Sequence, residues 1–292
     1  MTPAERRVRE LLRSGDPHHT AQAVELTGTL GDPALFANLL HGCQRLPGGG
    51  ALRGNHLFAE QRGVFAPQTL ANLLHLIAFA PEAALLHPTL RRGAIGKLSI
   101  RVSGPLQLPA AMDRFTALQT LTLSENRFIT LPDTLARLPA LETLDLGRNL
   151  LPTLPAVVCQ LTSLKRLVLR YNPIKALPAA IGKLAALEHL DMSWTNLDAL
   201  PVEVNRLEQL REVDFSCVRR LRRLPSPLRG LPRLAVLKLR NTYVKPTPED
   251  IAAMPALHTL ELSRGLYSSP TLTVSDARRM FLEVRPGLRL AL

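Results

Sequence analysis

One apolar residue recurs on a fixed beat through the greater part of this chain. Ile95, Leu118, Leu141, Leu164, Leu187, Leu210, Leu234 and Leu257 open eight successive segments, spaced by 23 residues at every step but one, which is 24. Each segment refills one template: Leu at positions 1, 4 and 6, a polar or small residue at 9, Leu near 11, Leu-Pro at 14 and 15, and apolar residues at 18 and 21. The segment from Leu141 shows it in full, with Leu144, Leu146, Asn149, Leu151, Leu154-Pro155, Val158 and Leu161. A fixed period of this length marks a solenoid, in which each unit packs only on its neighbours and the units share one continuous interior. It bounds function as well, because such a stack presents surface and seldom encloses chemistry.

The template also predicts where each part lies. Positions 3 to 7 alternate polar and apolar, as in Thr143-Leu144-Asp145-Leu146-Gly147, which is a short strand with one buried face. Leu-Pro ends the extended stretch and starts a turn of helix or 3₁₀ helix, whose positions 18 and 21 face inward. Every segment places its strand alike, so the strands stack into a parallel sheet, and the bulkier outer elements curve it with the strands on the concave side. Asn126, Asn149 and Asn172 at position 9 can bond backbone groups that an irregular loop would leave unpaired. Downstream the position holds Thr195, Val218, Thr242 and Gly265; a threonine hydroxyl can substitute for the amide, whereas valine cannot. The seventh segment has Thr247-Pro248 in place of Leu-Pro.

The pattern LxxLxLxxNxLxxLPxxLxxL resembles the leucine-rich repeat proteins of the 23-residue Leu-Pro type, over residues 95 to about 270. Leu190-Asp191-Met192-Ser193-Trp194-Thr195-Asn196-Leu197 and Phe215-Ser216-Cys217-Val218-Arg219-Arg220-Leu221 are similar to variants in the repeat domains of type III effectors of plant-pathogenic bacteria. That likeness implies a bacterial protein that binds another protein and works in the cytoplasm, or is delivered into a host cell without a cleaved signal. Some such effectors add a ubiquitin-ligase domain beyond the repeats. This chain ends soon after its last clear segment, so that activity is not carried over.

Residues 1–94 lack the leucine period. Pro3–Leu12, then stretches around 17–29, 33–45, 67–79 and 81–90, read as helices, with Asp16-Pro17 and Asp32-Pro33 as helix starts. Pro47-Gly48-Gly49-Gly50 is a loop without the Gly-Lys-Ser/Thr of a phosphate site. Ala37-Asn38-Leu39-Leu40-His41 recurs as Ala71-Asn72-Leu73-Leu74-His75, as paired helices would. The first leucine segment needs a cover for its apolar end. The expected fold is therefore α/β: an α-helical N-terminal cap over 1–94, leucine-rich repeats over 95–265, and a C-terminal cap over 266–292. In that last part Ser275 to Val284 reads as a helix N-capped by Ser275, and Leu288-Arg289-Leu290 as a final strand.

Charge and side-chain chemistry narrow the function. The net charge is +12, but only six of the 36 basic residues are Lys. That ratio, with abundant Ala, Leu, Pro and Gly, matches the codon bias of a high-GC bacterial genome. Arg219, Arg220, Arg222, Arg223, Arg229 and Arg233 form the densest basic cluster; it leaves open a strip for nucleic acid or acidic lipid, although no aromatic residue interleaves it as strand stacking would need. Cys43, Cys159 and Cys217 are far apart and odd in number, which argues against a disulfide framework or a zinc site. The eight histidines show no ligand spacing and no serine sits in a GxSxG elbow, so no catalytic residue, metal or cofactor is expected. No apolar run reaches the roughly 18 residues of a membrane span.

The exposed columns hold the candidates. Position 5 reads Ser99, Thr122, Asp145, Val168, Asp191, Asp214, Lys238, Glu261; position 7 includes Arg170 and Arg240; position 8 includes Arg148, Tyr171, Trp194 and Cys217. The only tryptophan lies one segment from Tyr171 in the same column, and interface hot spots favour Trp, Tyr and Arg. The expected partner-binding patch is Arg148, Arg170, Tyr171, Asp191, Trp194, Asp214 and Arg240, on a monomer. Trp194 folded over the strand edge as a mere shield is the competing reading. The carboxylates Asp145, Asp191 and Asp214 sit on an open sheet rather than in a cleft, so they read as a solvated face paired with Arg148, Arg170 and Arg211, not as an acid–base pair. Two rival functions stay open: the substrate-recognition part of an enzyme whose catalytic domain lies elsewhere, and a basic-surface binder of nucleic acid.

Overall fold

The computed structural model describes residues 117–263 and 274–291, together with 96–101, 115, the strands Ala51–Arg53 and His56–Glu60, and residues 3, 6, 7, 10 and 11. The chain divides into two compact units, Met1–Leu141 and Glu142–Leu292.

In the first unit, β1 (Ala51–Arg53) pairs antiparallel with β2 (His56–Glu60). β2 then runs parallel to β3 (Lys97–Arg101), and β3 to β4 (Thr120–Thr122). β3 and β4 are the strands expected in the first two leucine segments. β1 and β2 are not: the sequence pattern predicts helices and loop before Ile95, yet His56 lies opposite Lys97 and Glu60 opposite Arg101. A terminal strand left bare would expose a row of unpaired amides and carbonyls, and β2 takes that row. Of the first expected helix, Pro3, Arg6, Arg7, Glu10 and Leu11 are helical, with Leu11 buried and Arg7 paired to Glu10 at 3.4 Å. The helices expected at 17–29, 33–45, 67–79 and 81–90, the Gly48–Gly50 loop and the Ala37/Ala71 repetition lie outside the described residues.

The second unit is a parallel sheet of seven strands: β5 (Thr143–Asp145), β6 (Arg166–Val168), β7 (His189–Asp191), β8 (Glu212–Asp214), β9 (Val236–Lys238), β10 (Thr259–Glu261) and β11 (Arg289–Ala291). Register is kept position for position, with Leu144, Leu167, Leu190, Val213, Leu237 and Leu260 forming one buried column. The strands cover positions 3 to 5, shorter than the expected 3 to 7, but the ladder continues past them. The amide at position 6 donates to the position 5 carbonyl of the next segment, as Leu146 does to Val168 and Leu169 to Asp191, both at 2.8 Å. The amide at position 8 donates likewise to position 7, Tyr171 to Ser193 at 3.0 Å and Trp194 to Ser216 at 2.9 Å.

Among the described residues, the Leu-Pro that follows the strand and turn of a segment starts a 3₁₀ turn for the same reason each time. Proline arrives with φ preset and extended ψ (Pro178 at −69°, 150°; Pro201 at −68°, 153°), and its carbonyl accepts the amide three residues on. Ile181 donates to Pro178 at 3.0 Å and Val204 to Pro201 at 3.2 Å, and both side chains are wholly buried. Thr247-Pro248 gives a true α-helical turn instead, α1 (Pro248–Ala252). Thr247 Oγ1 accepts from the Asp250 amide at 3.2 Å while Asp250 Oδ2 accepts from the Thr247 amide at 2.9 Å, so two helix-end donors are satisfied reciprocally. At the C-terminal end, α2 (Val274–Val284) begins one residue before Ser275, which is thus inside the helix and not its N-cap. Arg285 holds the end of α2, donating to the Pro255 carbonyl at 2.6 Å and the Ile251 carbonyl at 3.3 Å. β11, shifted one residue from its expected start, then pairs with β10.

Candidate functional site

Position 8 is set by backbone geometry before any side chain is considered. Glu125, Arg148, Tyr171, Trp194, Cys217 and Asn241 all adopt left-handed backbone, with φ between 54° and 63°. A non-glycine residue pays about 1–2 kcal/mol for that conformation, and here the same turn is repeated in six segments. It swings position 9 inward. Asn126, Asn149 and Asn172 are buried, and Asn149 Nδ2 donates to the Leu146 carbonyl at 2.9 Å. Asn172 reaches further: its amide donates to the carbonyls of Leu169 and Leu146, both at 2.9 Å, and accepts from the Leu151 amide at 3.1 Å. Threonine substitutes as expected, Thr195 Oγ1 donating to Met192 O at 2.7 Å and Thr242 Oγ1 to Leu239 O at 2.9 Å. Val218 has no such group, and there its own amide closes onto the Phe215 carbonyl at 3.0 Å.

The same turn throws the position 8 side chains outward in file. Tyr171 and Trp194 stack with centroids 5.1 Å apart and ring planes 14° from parallel, and Arg148 lies over the other face of Tyr171 at 4.4 Å. Parallel strands sit about 4.8 Å apart, within the range of about 4.5–7 Å at which ring centroids of stacked aromatic pairs lie, so neighbours in this column can meet face to face. Trp194 remains 49% exposed and Tyr171 37%. The next residue in the file is Cys217, which offers a single sulfur, and the stack ends at Trp194.

The other expected site residues divide. Arg170, one position before Tyr171, lays its stem across Gly147, where an added Cβ would come within 3.1 Å of Arg170 Cγ. Arg148, Arg170, Tyr171 and Trp194 are therefore brought together on adjacent segments. Asp191 and Asp214 are committed inward: Asp191 Oδ1 accepts from the Ser193 amide at 2.9 Å and the Ser193 hydroxyl at 2.6 Å, and Asp214 Oδ1 accepts from the Ser216 amide at 2.8 Å. Asp145 accepts from the Gly147 amide at 2.8 Å. This corrects the expectation of a carboxylate column paired with Arg148, Arg170 and Arg211. Arg211 pairs with Glu188 at 3.5 Å, and the aspartates cap their own strand ends. Arg240 lies two segments beyond Trp194 and pairs with Glu261 at 3.0 Å.

Position 3 went unread in the sequence and carries a half-buried network. Glu212 accepts from Lys238 Nζ at 2.6 Å and lies 3.1 Å from His189 Nδ1. Burial works to raise the Glu212 carboxyl, but the bonds and charges of Lys238 and His189 overcome it and hold the group below its ordinary value. The bond to Glu212 in turn raises Lys238. His189 and Glu212 are 23 residues apart, so only the repeat register reveals the pair. Cys159, by contrast, is buried among apolar residues and its thiol is pushed up to about 11, with the Lys183 charge opposing.

In the basic cluster, Arg220 pairs with Asp198 at 2.6 Å, Arg229 bonds the buried Asp250, and Arg233 bonds Gln209. Arg222 lies over the Tyr243 ring, 4.6 Å from its centroid. The expected lack of an interleaved aromatic is thus overturned, since Tyr243 is 21 residues away in sequence and one segment away in space. Among the described residues no group of His, Cys, Asp and Glu could hold a metal ion, and no helix is long and apolar enough to cross a membrane.

A register-perfect stack of strand–turn–3₁₀ units with a side-chain file along its strand ends defines a repeat solenoid. The model of the leucine-rich repeat region matches residues 109–193 and 158–262, together more than half of the sequence, and the chain belongs to the leucine-rich repeat family. No curated protein sequence matches it significantly. Among solved structures, the leucine-rich repeat domain of the type III effector XopL aligns with TM-score 0.62 at 22% identity, covering 100% of this chain and 96% of that one. The plant peptide hormone receptor RGFR1 in complex with RGF2 aligns with TM-score 0.46 at 22% identity, covering 61% of this chain, and a TDR receptor with 0.47 at 22%, covering 57%. The chain spans 32% and 30% of the length of those two receptor chains.

Proposed function

We propose that the protein is an interaction scaffold that grips a partner protein on the concave strand face, with Trp194, Tyr171, Arg148 and Arg170 at the centre of the contact and Arg240, Asp191 and Asp214 at its edge. The observation that carries this reading is the half-exposed Arg148–Tyr171–Trp194 stack. Large aromatic area held rigid by stacking and by a fixed backbone costs little further entropy on binding, which is the property of an interface hot spot. Asp191 and Asp214 contribute chiefly by fixing the backbone beneath the stack. The accompanying layout is a cap over 1–94, repeats over 95–265 and a second cap over 266–292, acting without catalysis, either in the bacterial cytoplasm or after delivery into a host cell. Trp194→Ala in a pull-down from the native host tests it. Loss of the partner with an unchanged melting temperature is expected; a partner retained at full yield would sink the proposal.

A second reading rests on Arg222 over Tyr243, a cation and an aromatic side by side in a basic cluster. It requires nucleic-acid binding that falls steeply with salt and is lost in Arg222→Glu with Arg223→Glu. The carboxylates on Arg220 and Arg229 weigh against it.

A further inference from the structure

Charges on the strand face of the second unit do not cancel evenly. Glu142 pairs with Lys165, Glu188 with Arg211, Glu212 with Lys238, and Glu261 with Arg240. The aspartates at position 5 accept backbone amides. Arg148, Arg166, Arg170 and, on the last strand, Arg289 are the remainder: all four are exposed, and none forms an ion pair among the described residues. Arg166 and Arg170 occupy positions 3 and 7 of one segment, and Arg148 position 8 of the segment before. Arg148 and Arg170 therefore stand at one end of the aromatic stack with Arg166 at the other end of the Arg170 strand, while beyond Trp194 the next residue of the file is Cys217.

The geometry points to an acidic, extended peptide segment of a partner protein as the occupant of this face. Its carboxylates would lie on Arg148, Arg166 and Arg170, and an apolar or aromatic side chain on the uncovered face of Trp194. This rests on the scaffold reading above and adds the partner's chemistry. The guanidinium fork matches a carboxylate in a two-bond geometry, and three such groups without acids of their own favour an anion. A nucleic acid fits less well. Arg148, Arg166 and Arg170 span only two neighbouring segments, and a phosphate chain continuing across the strands would meet Asp191, Glu212 and Asp214 within the next two, well before Arg289.

Panning a random-peptide phage library on the full-length chain, with synthetic versions of the selected peptides measured by fluorescence anisotropy, tests this. The expected result is a consensus rich in Asp and Glu with one aromatic or large apolar residue. Affinity should fall ~10-fold or more in Arg148→Glu with Arg170→Glu, and separately in Trp194→Ala, with both variants keeping the parent's circular dichroism. Selected peptides that lose affinity in Trp194→Ala but not in the arginine reversal would leave the scaffold reading standing and overturn the acidic one. Peptides indifferent to both changes overturn both readings. A neutral or basic consensus, no enrichment over the arginine-reversed chain, or tighter binding of a single-stranded oligothymidylate than of any peptide overturns the acidic-segment assignment.

Discussion

Replacing Asn172 with alanine cuts three buried bonds at once, two of them between segments. The amide donates to Leu146 O and Leu169 O at 2.9 Å and accepts from Leu151 N at 3.1 Å, and the side chain is 3% exposed. At about 1 kcal/mol net for each bond, and somewhat more for the Leu151 amide left buried without a partner, the loss is about 3–4 kcal/mol. Asn172→Thr should cost less, about 2 kcal/mol, because a hydroxyl there can still reach the carbonyl of its own segment, as Thr195 and Thr242 do, and only the two bonds to the preceding segment disappear. Urea unfolding followed by tryptophan fluorescence reads the effect locally, since the only tryptophan, Trp194, is in the next segment. Asn196→Ala, at an exposed position, is the neutral control. An alanine variant within about 1 kcal/mol of the parent, or a threonine variant no better than alanine, would refute the assignment of stability to these inter-segment bonds.

Three further outcomes are expected. Gly182→Ala would bring a Cβ to 2.8 Å from the Glu203 carbonyl on the neighbouring outer turn; a backbone atom cannot give way as a side chain can, so calorimetry should show a loss of about 1–3 kcal/mol, and an unchanged melting temperature would refute the close packing of the outer turns. Glu212 sits below its ordinary value of 4.5 when folded, so its contribution is present above that value and is lost as pH falls through the lowered one; Glu212→Gln should flatten the acid limb of a stability–pH curve, and an identical limb in both proteins would contradict the Lys238–Glu212–His189 network. With its thiol raised to about 11, Cys159 should resist iodoacetamide at neutral pH in the folded protein while the half-exposed Cys217 reacts; peptide mapping that finds Cys159 alkylated as fast as Cys217 would overturn this.

The repeat was legible because its determinants are local and restated: Leu at fixed spacing, Leu-Pro before most turns, and Asn or Thr at position 9 in five segments. The file Arg148–Tyr171–Trp194 was legible for the same reason, since one column of a register-locked sheet becomes one line of side chains. Other features depend on which backbone group faces which side chain, and residue type alone does not reveal that. Asp191 and Asp214 have the composition of an exposed acidic column, and only the strand-end geometry shows each to be bonded to the amide two residues on. Arg222 and Tyr243, or His189 and Glu212, meet through the stacking of segments rather than through nearness in the chain. The strands β1 and β2 have no leucine period to announce them and are specified by the edge of β3 that they cover.

The left-handed backbone at position 8 limits what this surface can become. In that conformation a side chain branched at Cβ crowds its own backbone, and the six described occupants, Glu125, Arg148, Tyr171, Trp194, Cys217 and Asn241, are all unbranched there. Among the described residues valine, isoleucine and threonine are absent from this outward-facing line, while long, flat and charged groups occupy it at a pitch set by the hydrogen-bond ladder. A change of specificity in this chain is therefore a rewriting in a reduced alphabet, one letter per segment, and transplanting Tyr171 and Trp194 to any two neighbouring segments should move the stack along the sheet intact.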